Sequence, residues 1–305
     1  MNDKPIIGRY ARIIMDDWFK RTFGTEPNKG LLIMLLKELI PEHDIKDLTY
    51  VQQEHINPFP GKKDALIDVE CVDTDGTRFI VEMQVARQRF FYERSLFYST
   101  FGIQQQVEKS SSMDYGFPPV YFVGFMDFSL HEGSDRVLYR YSLREKETGE
   151  EMTGSLQFVF LELTNCRKAL TPDATLLDNF CYALHNMEHL TDRPEELKEE
   201  IFKRLFKTAE IATFTPEERI KYENDMTTER DIQNYISYAR EKGLEEGMEK
   251  GMEKGMEKGR EEGREEGREE GRIEAARNML ADEISIDLVA KYTGLSIEQV
   301  KELKL

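Results

Sequence analysis

The sequence has few cysteines, which form the disulfide bonds of secreted proteins, and lacks the long apolar runs that cross membranes. It has three cysteines among 305 residues, Cys71, Cys166 and Cys181. Their number is odd and their spacing matches no metal motif, which favours a reduced setting over secretion. The sequence shows no N-terminal signal pattern and no apolar run approaching about 18 residues. We therefore expect a cytoplasmic protein with no membrane partner.

An excess of positive charge is also missing. Lys and Arg number 42 against 59 Asp and Glu, which gives a net charge of −17. Phosphate contacts dominate the affinity of proteins for nucleic acids and require local cations. The composition therefore does not predict tight binding to bare duplex. The acid is concentrated downstream, however, because residues 1–110 carry 15 basic against 17 acidic side chains. Six basic side chains lie in or close to residues 65–86 and could form a modest basic rim around a site there: Lys62, Lys63, Arg78, Arg87, Arg89 and Arg94.

The most informative feature that is present is a predicted β-hairpin. Two alternating runs, Ala65–Val72 and Arg78–Ala86, flank the turn Asp73–Gly76. An Asp-Gly turn between alternating strands is a strong short-range hairpin signal. One face of both predicted strands is continuously apolar. We therefore expect the sheet to pack on that face and to leave the acidic face open.

The acidic face of this hairpin brings two carboxylates together. Alternation places Glu82 and Gln84 on one face of the second strand, with Asp68 on the matching face of the first. If the strands fold about the turn, Asp68 lies opposite or diagonal to Glu82, and directly opposite Cβ atoms are about 4.5–5.5 Å apart. Two carboxylates at that separation suit a hard cation such as Mg²⁺, which acidifies water for hydrolysis. The alternative is an ordinary exposed face whose acids serve solubility.

Several motifs around this hairpin match one known family. They are D-x-x-F-K-x-x-F-G at 16–24, I-V-E-M-Q at 80–84, R-S-x-x-Y at 94–98, and the spacing D-x13-E-x-Q that begins at Asp68. With the helix-like stretch 90–107, this arrangement resembles the PD-(D/E)XK nuclease superfamily. More narrowly it is similar to the recombination-promoting nuclease (Rpn) family, also described as PD-(D/E)XK nuclease-family transposases. The resemblance covers most of residues 8–305.

The resemblance implies a fold and a metal site. The fold is α/β (α+β), a restriction-endonuclease-like core with a mixed central sheet flanked by helices, followed by a helical C-terminal region. In the implied site, Asp68 and Glu82 ligate Mg²⁺, Mn²⁺ or Ca²⁺ together with the backbone carbonyl of Met83. Gln84 stands where the superfamily usually has lysine. An amide can orient a water or a phosphate oxygen but cannot act as a general base.

Further site residues follow from the same resemblance. Asp16 or Asp17 would supply an additional acid. Arg94 and Tyr98, which lie four residues apart on one helical face, would contact the scissile phosphate. The implied activity is metal-dependent endonucleolytic cleavage of DNA, in recombination, mobile elements or phage defence. The alternative is a catalytically inactive oligomeric scaffold or DNA-associated interaction protein that acts through its tail.

Changes in composition predict four regions. Residues 1–170 form the nuclease core, and residues 171–240 form a helical region that we expect to pack on it. Residues 241–280 form a glycine-punctuated charged stalk, and residues 281–305 form a small helical tail. His185–His189 spells H-x-x-E-H, the inverted zinc-peptidase motif. No recognisable third-ligand segment follows, which favours a plain helix.

The stalk has a strict period. Glycine recurs at every fourth position from Gly243 to Gly271. Each glycine costs a helix roughly 1 kcal/mol relative to alanine, whereas each ion pair returns only about 0.2–0.5 kcal/mol. The segment alone should therefore be a marginal helix. Glycine permits close approach of helices, and one phase of the repeat is apolar: Leu244, Met248, Met252 and Met256. We expect a homo-oligomer through this stalk, with a solvated charged linker as the alternative.

The last residues predict a pair of short helices. In Ile286–Leu303, the turn Thr293–Ser296 precedes a capping box made by Ser296 and Gln299. The pattern resembles half of a helix-turn-helix. A DNA-reading helix would present basic or amide side chains, whereas this one is nearly neutral. Capping of the tail or contact with a partner is therefore favoured over DNA reading.

Overall fold

A six-stranded mixed sheet lies at the centre of the computed structural model, which describes residues 8–51, 67–109, 116–166 and 170–303. By contact density the chain divides into two units, Met1–Asp225 and Met226–Leu305. The helices and strands of the first unit are α1 (Asp16–Phe23), α2 (Lys29–Leu39), β1 (Leu48–Tyr50), β2 (Val69–Asp73), β3 (Arg78–Gln84), α3 (Phe91–Lys109), β4 (Val120–Met126), β5 (Leu138–Arg144), β6 (Glu151–Glu162), α4 (Leu176–Asn186), α5 (Glu200–Ala209) and the beginning of α6 (Pro216–Ala281).

The strands lie in the order β1-β2-β3-β4-β6-β5. The β1–β2, β2–β3 and β5–β6 pairs are antiparallel, whereas β3–β4 and β4–β6 are parallel. Every residue of β4 is buried, as expected for a nearly continuous apolar run in the parallel centre of a sheet. The predicted mixed sheet flanked by helices is confirmed.

Helices cover both faces of the sheet. On one face α1, α2, α4 and α5 form the larger core, which includes Phe19, Phe79, Phe125, Phe180 and Phe202. On the other face α3 forms a smaller core, which includes Ile80, Phe91, Phe122 and Phe160. This second layer lies over the face that carries Glu82. The expectation that the acidic face stays open is therefore wrong.

Close approach explains how α3 covers that face. Gly102 of α3 lies so near the sheet that an added Cβ would be 2.9 Å from Arg78 Cδ and 3.3 Å from a methyl carbon of Ile80. Glu70 and Arg78 are both buried beneath α3 and form an ion pair there. Arg78 also donates to Gln105 Oε1 of α3 at 3.0 Å. The sequence position of Arg78 had indicated that it belongs to an exposed basic rim. Its burial shows that it does not.

The hairpin is shorter than the pattern predicted. β2 begins at Val69 and β3 ends at Gln84, so Asp68 lies in a bend immediately before its strand. Ala65, Lys62 and Lys63 lie outside the described residues. Before helix α1, which starts at Asp16, the Ala11 N–H donates to Ala209 O at 2.8 Å.

The second unit contains the remainder of α6 and two short helices, α7 (Ile286–Thr293) and α8 (Ile297–Glu302). The capping box is confirmed, since Ser296 Oγ accepts from Gln299 N at 3.1 Å and Gln299 Oε1 accepts from Ser296 N at 2.8 Å. Gly294 ends α7 with a φ of 72°, a value that glycine adopts without strain. None of the helices described in the structure is long and apolar enough to span a membrane.

Candidate active site

Asp68 and Glu82 lie together at one end of the β2–β3 hairpin. The register pairs Val69 with Val81, so the next residues outward are Asp68 and Glu82. The Asp68 N–H donates to Glu82 Oε1 at 3.2 Å, and Asp68 Oδ2 accepts from the Met83 N–H at 2.8 Å. The two side chains are only 9% and 6% exposed. The structure therefore places two acidic groups side by side with little water around them.

This burial changes the protonation of both groups. Burial, together with the charge of Asp68, raises the pKa of Glu82 to about 8. Burial, together with a hydrogen bond to Asp16, raises the pKa of Asp68 to about 7. Burial disfavours the charged form of a carboxyl group, and a second carboxylate adds repulsion. Both effects would be relieved by a cation placed between the two groups.

Helix α1 contributes one acidic and one basic side chain to the surroundings of Asp68. Lys20 Nζ lies 2.7 Å from Asp16 Oδ1 and 3.3 Å from Asp68 Oδ1. Burial alone would lower the pKa of Lys20, but the hydrogen bond to Asp16 and the charge of Asp68 outweigh it and raise that pKa. Lys20 is therefore an ammonium ion. Of the two predicted helix acids, Asp16 adjoins Asp68, whereas Asp17 forms an ion pair with Lys221 of α6.

Lys20 was not among the site residues predicted from sequence. Its signal was available in the spacing of Asp16 and Lys20, which places them on one face of a helix. What could not be read from the sequence is that this face is directed at Asp68.

Helix α3 contributes the cation on the other side. Arg94 Nη2 donates to Gln84 Oε1 and lies 4.0 Å from Glu82 Oε2. Its guanidinium carbon is 5.7 Å from the ring centre of Tyr98. Arg94 Nε is buried and has no hydrogen-bond partner among the residues that the structure describes. Gln84 and Gln88, which both accept hydrogen bonds from the guanidinium, thus hold Arg94 beside Glu82.

The backbone adds an oxygen at the same end of the sheet. The Gln84 carbonyl accepts from the Asp127 N–H, on the β4 side of β3. Successive peptide groups along a strand point to opposite neighbours. The Met83 carbonyl therefore points to the β2 side, where Asp68 lies and β2 has not yet begun.

A second group of potential metal ligands lies at the opposite end of the hairpin. Within the described ranges, His43, Asp73 and Asp75 form the one group of three or more His, Cys, Asp or Glu side chains whose ligand atoms lie within 4.8 Å of one another. His43 Nε2 is 3.0 Å from Asp73 Oδ2 and 3.7 Å from Asp75 Oδ2. Asp73 Oδ1 accepts from the Thr74 hydroxyl at 3.1 Å. These contacts stabilise the turn, and sequence reasoning had assigned only the two acids to it.

The H-x-x-E-H segment does not continue as one α-helix. Helix α4 ends at Asn186, and residues 187–189 form a 3-10 turn. His185 Nδ1 is 2.6 Å from Asp127 Oδ1, whose carboxylate also pairs with Arg12 at 3.1 Å, whereas His189 is 75% exposed. Within the described part of the chain the two histidines share no group of three ligand atoms. This geometry is that of an ion-pair network rather than a zinc site.

The chain matches one known family along most of its length. The family model described as PD-(D/E)XK nuclease family transposase matches residues 13–239, a range that contains Asp16, Asp68, Glu82 and Arg94. The chain matches no curated protein and no solved structure at a significant level.

The His185–Asp127 pair predicts a pH-dependent contribution to stability. The hydrogen bond to Asp127, opposed by burial, raises the pKa of His185 above its ordinary value of 6.5. A raised pKa in the folded state adds stability that is fully present below the unfolded pKa and is lost as pH rises through the folded value. His185→Asn should therefore lower the free energy of unfolding more at pH 5.5 than at pH 9, as measured by urea unfolding. The exposed His189→Asn is the control, and an equal loss at both pH values for His185→Asn would contradict the prediction.

Proposed function

The chain belongs to the PD-(D/E)XK nuclease family transposases, and from this membership we propose that it is a metal-dependent DNA endonuclease that hydrolyses phosphodiester bonds. The observation that carries the proposal is the buried pair Asp68 and Glu82, flanked by Lys20 and Arg94. Buried carboxylates that repel each other are costly unless they are paired or bind a cation. Their raised pKa values are typical of a functional site.

The donor atoms fit a hard divalent cation. Asp68 and Glu82 each engage one oxygen with a backbone N–H. The second oxygens, Asp68 Oδ1 and Glu82 Oε2, face Lys20 and Arg94 instead. With the Met83 carbonyl they would hold Mg²⁺, Mn²⁺ or Ca²⁺, which prefer oxygen ligands. Such an ion would polarise the phosphoryl oxygens and acidify the attacking water.

The flanking side chains would handle the charge of the phosphate. The Arg94 side chain is 25% exposed beside Glu82, and its guanidinium is suited to bind a phosphate oxygen. Lys20 keeps its proton, so it is suited to offset developing negative charge and not to accept a proton. Gln84 orients Arg94 and as an amide is no general base. Removal of the proton from the attacking water is therefore assigned to a second water. Asp16 would hold Lys20 in place through their ion pair, and Tyr98 would pack against Arg94.

DNA is the substrate that the family description favours. The cations near the site are Lys20, Arg87, Arg89 and Arg94, in a chain of net charge −17. Lys20 pairs with Asp16 and Asp68, and Arg87 pairs with Glu132, so few of these charges are available for phosphates. We expect weak binding to undamaged duplex with a shallow dependence on salt concentration, because few phosphates would be neutralised. Recombination, movement of mobile elements or phage defence in the cytoplasm are the settings in which this activity would act.

Plasmid cleavage tests the proposal. The purified protein should nick or cut supercoiled plasmid with Mg²⁺ or Mn²⁺ and not in EDTA. Asp68→Asn and Glu82→Gln should each lower the rate by roughly 100-fold or more, the scale seen when a group that stabilises transition-state charge is removed. Both substitutions remove a buried charge and preserve shape, so both variants should fold.

Asp47→Asn is the matched control for this experiment. Asp47 is an exposed carboxylate that pairs with Lys29 at 2.9 Å, and it precedes β1 at the turn end of the β2–β3 hairpin, away from Glu82. Its loss should leave cleavage unchanged. Cleavage that persists in Asp68→Asn and Glu82→Gln would place the chemistry elsewhere. Absence of cleavage with every metal would favour the inactive scaffold.

We further propose that the protein self-associates through residues 241–280. Leu244, Met248, Met252 and Met256 are all exposed along α6, and an added Cβ at Gly247 or Gly251 would meet no atom within 4 Å. An exposed apolar stripe on a helix weakened by glycines is stabilised when it packs against another copy.

Sedimentation of the full chain tests self-association. Replacing Met248 and Met252 together by Glu should convert an oligomer into a monomer, because four or more charges would meet in the interface. Met152→Glu changes a methionine that is 79% exposed on β6 and serves as the control. A monomeric wild-type chain, or an oligomer that both variants retain, would refute the assignment.

A further inference from the structure

An exposed aromatic side chain lies where strand β3 leads into helix α3. Phe90 is 59% exposed. Its φ is 63°, a left-handed value that is unfavourable for a bulky side chain. Water-exposed phenylalanine in a disfavoured backbone conformation is unusual in a position that serves folding alone. Strained residues of this kind concentrate at functional sites.

The neighbouring residues explain how the ring is held outward. Phe91 is buried, and its ring centre lies 5.4 Å from that of Phe160 and 6.2 Å from that of Phe128. The Phe90 carbonyl accepts from the Arg94 N–H at 3.0 Å, so Phe90 immediately precedes α3 and accepts from its first turn. Phe91 thus anchors the helix in the core, while Phe90 is fixed on its outer side by the same turn.

Phe90 lies one helical turn from Arg94 of the candidate active site, whose N–H bonds to the Phe90 carbonyl. Arg94, one helical turn from Phe90, is the residue that contacts Gln84 and lies 4.0 Å from Glu82. A polymer bound with its phosphate at Arg94 would therefore have Phe90 within one helical turn of that phosphate's ligand.

The surface around the ring favours a polyanion. The guanidinium of Arg89 lies 4.8 Å from the centre of the Phe90 ring. Arg87, two residues earlier, is also exposed and pairs with the exposed Glu132 at 3.0 Å. A symmetric contact with a second copy would set these arginines against their own copies, because the same patch would face itself. Nucleic acid supplies both a negative backbone for the arginines and flat bases for the ring.

We propose that Phe90 is a wedge that stacks on a base of the bound DNA, so that the enzyme prefers DNA with unpaired bases beside the scissile phosphate. This inference rests on the proposed nuclease function and adds its substrate class. Aromatic stacking on a base is largely independent of sequence. The free-energy cost of unstacking is lowest for a base that is already unpaired. Apolar side chains that insert into duplex DNA must also overcome this cost.

The test compares binding to two DNA molecules in EDTA by fluorescence anisotropy. One is a fully paired duplex, and the other has the same sequence with a central unpaired bubble. The wild-type chain should bind the bubble roughly tenfold more tightly. Phe90→Ala should bind both equally, and Phe90→Trp should keep the preference.

Two further variants separate stacking from folding. Phe90→Gly relieves the left-handed backbone, so it should raise the melting temperature and still lose the preference for the bubble. Phe97→Ala removes a ring that is 52% exposed two turns further along α3 and should keep the preference. Loss of the preference in Phe97→Ala as well would overturn the assignment to Phe90 in favour of a general aromatic surface.

The remaining outcomes distinguish the wedge from the nuclease. Wild-type protein that cleaves plasmid but binds bubble and duplex equally would refute the wedge and leave the nuclease in place. Wild-type protein that neither binds nor cleaves any DNA would overturn both. A Phe90→Ala chain that changes its sedimentation but keeps the preference for the bubble would show that the ring contacts another protein copy and would refute the wedge.

Discussion

The structure around the candidate site depends on the cost of burying two carboxylates side by side. Asp68 and Glu82 meet at the end of an antiparallel pair and are nearly closed off from water. The Glu82 carboxylate accepts from the Asp68 N–H, and the Asp68 carboxylate accepts from the Met83 N–H. A pair of acids in such a place needs positive charge nearby. The chain provides it from two sides, with Lys20 and Arg94.

The sheet makes this convergence possible. Strand β3 is buried on both faces, so α1 reaches its end from one layer and α3 from the other. Phe19 anchors α1 in the larger core, and Phe91 anchors α3 in the smaller one. Each anchor lies within three residues of the cation that its helix delivers. The core therefore fixes the positions of the charged groups. A divalent ion would add positive charge beside the two carboxylates, which Lys20 and Arg94 only partly neutralise.

Sequence patterns predicted those parts of this arrangement that depend on local periodicity. Alternation and the Asp-Gly turn led to the hairpin and to the opposition of Asp68 and Glu82, and the S-x-x-Q spacing led to the cap at Ser296. Alternation tells which residues share a face and not what lies over it, so the cover supplied by α3 through Gly102 was missed. Lys20 was missed because its partner Asp68 is remote in sequence. The exposed Phe90 was missed because local periodicity does not predict a left-handed backbone conformation at a phenylalanine.

The most direct test of the central claim is thermal unfolding at pH 8 of the wild-type chain and Glu82→Gln, each in EDTA and in Mg²⁺. Folded-state pKa values of about 7 and 8 for the two acids mean that the metal-free chain loses stability as pH rises toward 8. Glu82→Gln should therefore melt higher than wild type in EDTA. Mg²⁺ at 100 times its Kd should stabilise the wild-type chain by about 2.7 kcal/mol and so raise its melting temperature. It should leave the melting temperature of Glu82→Gln unchanged. A wild-type chain that does not respond to Mg²⁺, or a variant that responds equally, would contradict the claim that these carboxylates form a cation site.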